Sequence, residues 1–372
     1  MVKEIAPRAE QIDREDCFPQ GVWEKMGALG MLGLGIPEEY GGSGMDLLTL
    51  VLAVEQVARV CPALALSYTA HTDLCAHNLE KNGTEAQKRK YLPGLCRGDL
   101  IGCLGLTEPG AGSDAVGIQT TAVREEFHYR LDGNKMFITN APEADVALIY
   151  AKTDMEKKAR GITAFLVEKG TPGFSIAQKM DKMGHRGSST GEIVLSNCCV
   201  PLENVLGTVD EGIRVMMTGL DTERVVVSAI SLGIAESALE LGTSHARQRH
   251  QFDQPISEFQ LIKAKLANMY TEIEASRGLI HRAAMLANTA ETGGKGTELH
   301  RLAAAAVLFT AEASSRAVNE SLQIHGGYGY ITETPINRFY RDAKLMEIGA
   351  GTSEVRRILI ANEIIQKGTG YV

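Results

Sequence analysis

The sequence lacks the features that mark nucleic-acid-binding, metal-binding and disulfide-stabilised proteins. Its formal net charge is −8, and the absence of any basic run argues against a nucleic-acid partner. None of the seven cysteines forms a Cys-x-x-Cys pair, so we expect no metal and no disulfide framework, but reduced thiols in a cytoplasm-like compartment. The charged residues 1–14 contain no apolar signal core, and the longest uncharged helical run, 225–235, is too short to span a bilayer. We therefore expect a soluble protein without membrane insertion.

The composition is that of an ordinary globular enzyme, with 44% hydrophobic and 23% charged residues. Apolar residues recur at helical spacing in residues 1–100, alternate with a period of two in 101–208, and return to helical spacing in 209–372. These changes predict three domains of an α+β protein: an N-terminal helical domain, a middle β-domain and a C-terminal helical domain.

Within these domains the pattern predicts individual elements. A helix is expected over 64–81, in which His71 is interpreted as a packed or capping histidine, since no set of metal ligands surrounds it. Asp132-Gly133 predicts a hairpin turn. The C-terminal domain is expected to contain long helices over 212–244, 259–289 and 297–324, and Gly293-Gly294 predicts a connection between the last two.

A glycine-rich loop follows the first predicted strand of the β-domain. The apolar run 101–106 leads into Thr107 and the loop 110–114, where glycines allow close approach to a ligand. A second strand end, 136–140, carries Phe137 and Thr139. Two strand ends with hydroxyls and one aromatic ring suit a planar ring system that needs hydrogen bonds at its edge. The alternative is a simple turn, because the loop is neither a dinucleotide fingerprint nor a phosphate-binding loop.

Glu223 is the carboxylate that the sequence singles out as a candidate base. It interrupts an apolar helix beside Asp221 and Arg224, whose spacing allows them to pair with each other. Glu223 is then left without a local partner, and burial in an apolar wall raises a carboxylate pKa towards that of a useful base. The alternative, an ion pair with a distant cation, stays open at this level.

The small-residue segment 347–354 opens onto a predicted helix over 355–366. Helix N-termini attract anions, and Arg356 and Arg357 add positive charge, so a pyrophosphate-bearing ligand would fit there. An ordinary capped helix start is the alternative.

Six motifs in a fixed order carry a resemblance that covers essentially the whole chain. They are TEPGAGSD at 107–114, FITN at 137–140, the segment 249–260 with RHQF, PI and FQ, QIHGG at 323–327, RDA at 341–343 and GTSE at 351–354. In this order they resemble the acyl-CoA dehydrogenase family. The resemblance implies an N-terminal α-domain, a β-barrel-like middle domain and a C-terminal four-helix bundle. It also implies a homotetramer that binds FAD, oxidises an acyl-CoA to the 2-enoyl-CoA and passes electrons to an electron-transferring flavoprotein.

The resemblance also assigns residues. Those that would bind the cofactor are Leu104, Leu106, Thr107, Phe137, Ile138, Thr139, Arg249, Gln260, Gln323, Ile324, His325, Gly326, Gly327, Thr352 and Glu354. Those that would bind the substrate are Ser113, Arg160, Asp221, Arg224, Gly349, Ala350 and Gly351. No metal ligand is implied. Where many members carry Trp this chain has Phe137, which implies a somewhat smaller stacking surface.

One departure separates branches of the family. Many members place the catalytic glutamate just before the Gly-Thr of the last motif, where this chain has Ala350. The isovaleryl-CoA and long-chain branches carry it on a helix, in a segment similar to 219–224, which makes Glu223 the expected base. The string 347–357 and Gly349 resemble the isovaleryl-CoA branch most closely, and Leu66 would form the floor of its pocket.

Two residues keep other substrates open. Met346 stands where the isovaleryl-CoA branch tends to have Tyr. Arg214 would meet the CoA nucleotide or admit a dicarboxylic or aromatic acyl group such as glutaryl- or benzylsuccinyl-CoA.

The reaction and the compartment also leave alternatives open. A related flavin oxidase or monooxygenase, and a non-catalytic acyl-CoA-binding homologue, remain as alternatives to the dehydrogenase. The expected location is the cytoplasm of a bacterium, or the mitochondrial matrix, without a transit peptide in this sequence, if the source is eukaryotic.

Overall fold

The computed structural model describes residues 3–289 and 296–369, and the connection predicted at Gly293-Gly294 lies outside them. Helices occupy the chain up to Arg97, strands follow from Gly102 to Leu206, and helices resume at Gly212. This is the α+β arrangement that the changes in periodicity predict.

The N-terminal helices are short, and side chains cap the N-termini of two of them. The Oδ1 of Asp46 accepts a hydrogen bond from the Thr49 backbone at 2.8 Å. Thr84 and Gln87 form a reciprocal capping box at the start of another helix. The helices are α1 (Ala6–Glu15), α2 (Gln20–Ala28), α3 (Leu47–Ala58), α4 (Pro62–Thr69), α5 (Asn78–Asn82) and α6 (Glu85–Arg97).

A π-helical segment, Ala70–His77, joins α4 to α5 without a break. Its His71 is fully buried, and the two ring nitrogens lie 3.0 Å from the Leu95 carbonyl oxygen and 3.0 Å from the Gly102 backbone nitrogen. The interpretation of His71 as a packed histidine is confirmed. The segment therefore contacts the start of the β-domain directly, which matters because π-helical turns frequently lie at functional sites.

Eight strands of the middle domain form one curled sheet. Seven are paired in the order β6-β7-β3-β2-β4-β5-β8, and β1 pairs in parallel with β4. Alternate residues of β4 face a core shared with β3, β5 and β7, while the others pack towards the N-terminal helices. A sheet that encloses its own core in this way is barrel-like. The strands are β1 (Gly102–Gly105), β2 (Thr121–Arg124), β3 (His128–Thr139), β4 (Val146–Lys152), β5 (Ile162–Glu168), β6 (Phe174–Lys179), β7 (Thr190–Pro201) and β8 (Val205–Leu206).

The hairpin turn predicted at Asp132-Gly133 is wrong. Both residues lie inside β3, where the pairing with β7 shifts register between Leu131 and Gly133. The turn between β2 and β3 lies earlier, closed by a hydrogen bond of 2.8 Å from the Glu125 nitrogen to the His128 oxygen. Gly133 has a φ of +150°, and an added Cβ would lie 2.4 Å from the Thr120 hydroxyl, so here the glycine marks a bulge.

Three long helices organise the C-terminal domain. The first, α7, packs against both of the others and against α3 of the N-terminal domain. The shorter α10 packs on α7 and α9 and completes four packed helices, and α11 lies on α9. The helices are α7 (Gly212–Gln248), α8 (Gln260–Thr289), α9 (Glu298–His325), α10 (Pro335–Met346) and α11 (Ser353–Lys367).

Among the described residues, α7 is the one helix that is long and apolar enough to cross a membrane. The sequence prediction considered only the uncharged run 225–235 and therefore underestimated the length of the apolar part of this helix. However, 83% of its most apolar window is buried inside the protein, which is the pattern of a core helix.

Candidate active site

The glycine-rich loop and the end of β3 lie side by side. The Met136 nitrogen donates a hydrogen bond of 2.8 Å to the Thr107 carbonyl oxygen. Leu104, Leu106 and Thr107 are half-buried at the end of β1. A Cβ added at Gly110 or Gly112 would meet no atom within 4 Å, so the space beside the loop is open.

Phe137 is held in an unusual exposed conformation. It has a φ of 62°, and 66% of its surface is accessible. The pairing of β3 with β7 shifts register between Lys135 and Ile138, which turns Phe137 outwards while Ile138 stays buried. A strained backbone that presents a large apolar ring to solvent indicates a binding surface.

Asn140 anchors this strand end to the N-terminal domain. It is fully buried with a φ of 68°, and its amide nitrogen lies 2.9 Å from the Ser67 carbonyl oxygen and 3.3 Å from that of Gly102. Ser67 belongs to α4, next to the half-buried Leu66. Thr139, the residue before Asn140, is half-buried at the end of β3, where it pairs with Thr190 of β7.

A buried ion pair beneath the loop was not predicted from the sequence. The Lys135 ammonium lies 2.6 Å from the Glu108 carboxylate, which also accepts hydrogen bonds from Thr120 and Gln119. Burial raises the pKa of Glu108, but the charge of Lys135 and these hydrogen bonds outweigh it and bring the pKa below its ordinary value. The pair fixes the base of the loop. The available signal in the sequence was Lys135 itself, a charged residue within a strand whose polar and apolar residues otherwise alternate.

Glu223 projects from the first third of α7 and is half-buried. Within the described part of the chain, no hydrogen bond or ion pair to its carboxylate is present. Burial raises the pKa of Glu223 to about 7, against the opposing effect of the Arg224 and Arg356 charges. A partly accessible carboxylate with a pKa near neutrality is suited to proton abstraction.

The charged neighbours of Glu223 are held by other partners. Arg224 lies 3.2 Å from the carboxylate of Asp221, as the spacing predicted, and 3.4 Å from His300. His300, on α9, lies 2.7 Å from the same Asp221 oxygen. Sequence reasoning missed His300, because a residue 79 positions away leaves no local pattern.

Arg356, predicted to attract an anion, instead fastens the C-terminal loop. Its guanidinium donates to the carbonyl oxygens of Met346 at 3.0 Å and Gly349 at 2.5 Å, and the side chain is buried. Burial and the charge of Arg224 lower the pKa of Arg356 to about 10, against the opposing effects of Glu223 and Glu312. Arg356 therefore connects the loop to the surroundings of Glu223.

The loop itself contains the remaining residues of the last motif. Ala350 and Gly351 have φ values of 52° and 91°, and Thr352 caps α11 by accepting a hydrogen bond from the Val355 nitrogen. Gly349 and Ala350 are half-buried, and Glu354 is exposed in the first turn of α11.

A separate groove of about 580 Å³ lies at the far ends of α7 and α9. Arg249 is exposed there and lies over the ring of Tyr328, 5.9 Å from its centroid. The groove brings together five of the predicted cofactor residues, while Gln260 and Gln323 are exposed outside its lining. The five are Arg249, Ile324, His325, Gly326 and Gly327.

Two predicted substrate residues lie on the surface. Ser113 is exposed in the loop after β1, and Arg160 is exposed in the turn before β5, which packs against α7. No hydrogen bond joins either side chain to the Glu223 group within the described ranges. In those same ranges, no group of three or more His, Cys, Asp or Glu residues could hold a metal ion.

The residues fit a flat, hydrogen-bonding cofactor. Phe137 offers an exposed ring, Thr107 and Thr139 offer edge contacts, and the open loop 110–112 leaves room for the ligand. Such a surface, together with a carboxylate suited to proton abstraction on α7, is what a flavin-dependent oxidoreductase requires.

Comparisons with known proteins identify the family within this class. Three protein-family models match: the acyl-CoA dehydrogenase N-terminal domain at residues 1–99, the middle domain at 103–198 and the C-terminal domain at 210–365. The chain belongs to the acyl-CoA dehydrogenase family. It is an oxidoreductase that acts on CH–CH groups of acyl-CoA substrates, and its cofactor is FAD.

Individual relatives are similar over nearly their whole length. The mitochondrial isovaleryl-CoA dehydrogenase of Solanum tuberosum is 46% identical over 98% of this chain and 87% of its own. The structure of butyryl-CoA dehydrogenase from Megasphaera elsdenii has a TM-score of 0.93 and 40% identity, covering 98% of this chain and 94% of its own. The structure of an FAD complex of PigA has a TM-score of 0.93 and 28% identity, covering 99% of this chain and 95% of its own.

Proposed function

We propose that this protein oxidises a short branched acyl-CoA, of the isovaleryl-CoA type, to the 2-enoyl-CoA, with Glu223 as the general base. The observation that carries the proposal is the half-buried Glu223 carboxylate, which makes no hydrogen bond or ion pair within residues 3–289 and 296–369 and whose pKa burial raises to about 7. Ala350 occupies the alternative position for the base and cannot take a proton. FAD, when bound, supplies the hydride acceptor.

The residues of this chain have separate tasks in that reaction. Glu223 removes the α-proton of the thioester, and the proton comes to rest on its carboxylate. Thr107, Phe137 and Thr139 hold the ring of the cofactor, and Thr352 and Glu354 complete its site. Asp221 and Arg224 face the substrate from α7, and Ser113 and Arg160 are placed to contact the CoA portion.

The preference for a branched chain rests on the C-terminal loop. Gly349 and Ala350 bring almost no side-chain volume to one wall, which leaves space beside the reacting carbons. A straight chain would fill this space poorly, and unfilled apolar volume forfeits dispersion contacts. Leu66 on α4 is half-buried and would limit chain length. A contact with one additional methylene group discriminates between two acyl-CoA substrates by about 1–3 kcal/mol.

The decisive experiment is anaerobic reduction of the bound flavin by a panel of acyl-CoA thioesters. We expect isovaleryl-CoA to bleach the flavin with a higher kcat/KM than butyryl- or octanoyl-CoA. A clear preference for butyryl- or octanoyl-CoA contradicts the branched-chain proposal. Failure of every thioester would favour a non-catalytic acyl-CoA-binding protein.

A dicarboxylic or aromatic acyl group is the second candidate, motivated by Arg214. Its side chain is 77% exposed near the start of α7 and lies 3.5 Å from Glu211. This exposure favours contact with the CoA nucleotide over contact with the acyl group. Glutaryl-CoA and benzylsuccinyl-CoA belong in the panel, and Arg214 becomes a determinant of specificity if either is preferred.

We further propose a homotetramer in which subunits share FAD. Glu223 lies in the first third of α7 and Arg249 follows its last residue, so about 40 Å separates them along the helix. An extended FAD beside Glu223 would not reach the groove at Arg249 of the same chain, so this groove would hold the adenosine and pyrophosphate of a neighbour's cofactor.

The proposed electron acceptor is an electron-transferring flavoprotein. Rapid oxygen consumption with substrate would indicate an oxidase or monooxygenase instead. The proposed location is the bacterial cytoplasm, or the mitochondrial matrix of a eukaryote.

A further inference from the structure

The groove at the far ends of α7 and α9 contains two stacked histidines. His245, in the last turn of α7, and His325, the last residue of α9, have ring centroids 4.4 Å apart, with an angle of 27° between the ring planes. Both line the groove together with Arg249, whose backbone nitrogen donates a hydrogen bond of 2.9 Å to the His245 carbonyl oxygen. The ring centroid of Tyr328 lies 6.3 Å from that of His245. His325 and Arg249 belong to the six motifs, whereas His245 belongs to none of them.

The two histidines differ in their hydrogen bonds. The Nδ1 atom of the buried His325 lies 2.7 Å from the Ser321 carbonyl oxygen, which can only accept, so this nitrogen carries a hydrogen. The half-buried His245 ring makes no hydrogen bond or ion pair with any residue of 3–289 or 296–369. Its nitrogens are therefore available to a ligand in the groove.

The groove offers positive charge and open backbone to such a ligand. Its lining residues, all of which lie in the described ranges, include no Asp or Glu. An added Cβ on Gly326 or Gly327 would meet no atom within 4 Å, so a ligand can approach the backbone there. Both histidines also lie at helix C-termini, where the helix dipole favours a positive charge. These features fit the pyrophosphate of FAD.

The surroundings of His245 favour a neutral ring when no anion is bound. Burial lowers the pKa of His245 below its ordinary value of 6.5, and the positive charges of His325 and Arg249 act in the same direction. In the short helix that follows Arg249 and contacts α7, Glu258 is paired with Lys263 at 2.9 Å. The short helix that follows α9, 326–330, carries only glycine and tyrosine.

A bound pyrophosphate reverses this balance. An opposite charge within about 4–6 Å favours the charged form of a group and moves its pKa by roughly one to three. Two imidazolium rings stacked on each other would repel, so the pair accepts one proton rather than two. Because the His325 Nδ1 atom is already bonded to Ser321, the ring of His245 is the one free to turn its N–H towards a phosphate.

We propose that His245 is a further cofactor-binding residue, and that the His245–His325 pair takes up one proton when the groove binds the pyrophosphate of FAD. The proton comes from solvent and rests on a ring nitrogen of His245, which donates a charge-assisted hydrogen bond to a phosphate oxygen beside Arg249. A lower pH therefore favours the FAD-bound protein. The inference rests on the proposed function of this groove as the site of a neighbour's cofactor, and adds a residue and a proton to it.

The test is the release of FAD from the diluted holoenzyme, followed by flavin fluorescence between about pH 6 and 8, where histidine titrates. The wild-type Kd for FAD should rise roughly five- to tenfold over this range, since a pKa difference of one between bound and free protein is a tenfold change in affinity. His245→Gln cannot take up the proton, so its Kd should equal the wild-type value at pH 8 and stay there at pH 6. His245→Arg is always charged and should bind FAD tightly at both pH values.

His281→Gln is the matched control. His281 is also half-buried, and burial and the charge of Arg277 lower its pKa, but it lies on α8 with its Nε2 atom 3.8 Å from the Glu55 carboxylate. This variant should release FAD with the wild-type pH dependence. A wild-type pH dependence in His245→Gln overturns the proposal, and so does a wild-type Kd that does not change with pH.

A second experiment separates FAD from CoA, because CoA also contains an adenosine and a pyrophosphate. The Kd of the holoenzyme for CoA at pH 6 should be the same in the wild type and in His245→Gln. Weaker binding of CoA by His245→Gln, with unchanged release of FAD, would assign the groove to the CoA nucleotide and overturn the proposal.

A proton count provides a readout that does not depend on turnover. In weakly buffered solution near pH 6.5, release of FAD from the wild type should free roughly 0.5–1 proton per FAD, and release from His245→Gln close to none. If Arg249→Ala loses FAD while His245→Gln behaves as the wild type, only the inference on His245 fails. If neither variant affects FAD, the groove is not the cofactor site and both proposals fail. If no acyl-CoA reduces the flavin, the proposed oxidation fails, whereas FAD release still decides the role of His245.

Discussion

Glu223 shows how burial sets the chemistry of a single residue. Burial raises its pKa to about 7, and proton abstraction needs the ionised form, so the rate of flavin reduction should rise as the pH increases through about 7. Glu223→Gln should retain FAD but reduce the rate about 100- to 10,000-fold, the usual cost of losing a positioned base. Stopped-flow absorbance under anaerobic conditions measures both effects. Wild-type bleaching by the Gln variant would exclude Glu223 as the base.

Ala350 provides the complementary test at the residue scale. Glu223→Gly combined with Ala350→Glu moves the carboxylate from α7 to the C-terminal loop, where Ala350 already has the left-handed φ of 52°. We expect the double variant to recover part of the flavin reduction that Glu223→Gly alone loses. Equal rates for the single and double variants would show that the loop does not direct a side chain towards the substrate.

At the scale of elements, a cluster of charged residues joins α3 to α7 and α8. It contains the buried carboxyl groups of Glu55 on α3 and Glu236 on α7, together with Arg277 on α8. Burial and the charge of Glu236 raise the pKa of Glu55 to about 7 from an unfolded value near 4.5. The pKa of Glu55 is higher in the folded protein than in the unfolded one. Its protonated carboxyl therefore stabilises the fold fully below pH 4.5, and this stabilisation is lost as the pH rises through about 7. Glu55→Gln should therefore flatten the fall in Tm between pH 5 and 8, with a gain at pH 8 on the order of 1 kcal/mol.

Thermal denaturation of the Glu55→Gln variant at several pH values measures this effect. Glu240→Gln is the control, since Glu240 pairs with Arg59 but has a side chain that is 63% exposed. Its Tm should follow the wild-type pH dependence, because exposed ion pairs contribute little to stability. The same pH dependence in Glu55→Gln and the wild type would contradict the raised pKa.

At the scale of the whole molecule, Arg249 should couple cofactor binding to assembly. Arg249→Ala should lower the flavin-to-protein ratio and weaken the oligomer together, because the exposed guanidinium would pair with pyrophosphate oxygens at a subunit boundary. Absorbance and sedimentation velocity measure the two quantities. Arg247→Ala, an exposed arginine two residues earlier, is the control and should change neither. Full FAD occupancy with an unchanged mass in Arg249→Ala would refute the proposal.

The order of elements and the candidate base could be predicted from the sequence, because burial imposes a local period on each helix and strand. Glu223 stood out as a charge in an apolar helix, and Phe137 as an aromatic ring at a strand end. The error at Asp132-Gly133 has a tertiary cause: the close approach of Thr120 makes the glycine necessary in a bulge, although the dipeptide usually forms a turn.

Contacts between distant segments were decided only by the tertiary structure. Lys135 meets Glu108 and His300 meets Asp221, and no periodic pattern links the members of either pair. The sequence determined which side chains carry charge and which faces are apolar. Packing decided which of these charges are buried, and therefore which pKa values shift, because desolvation depends on neighbours that are remote along the chain.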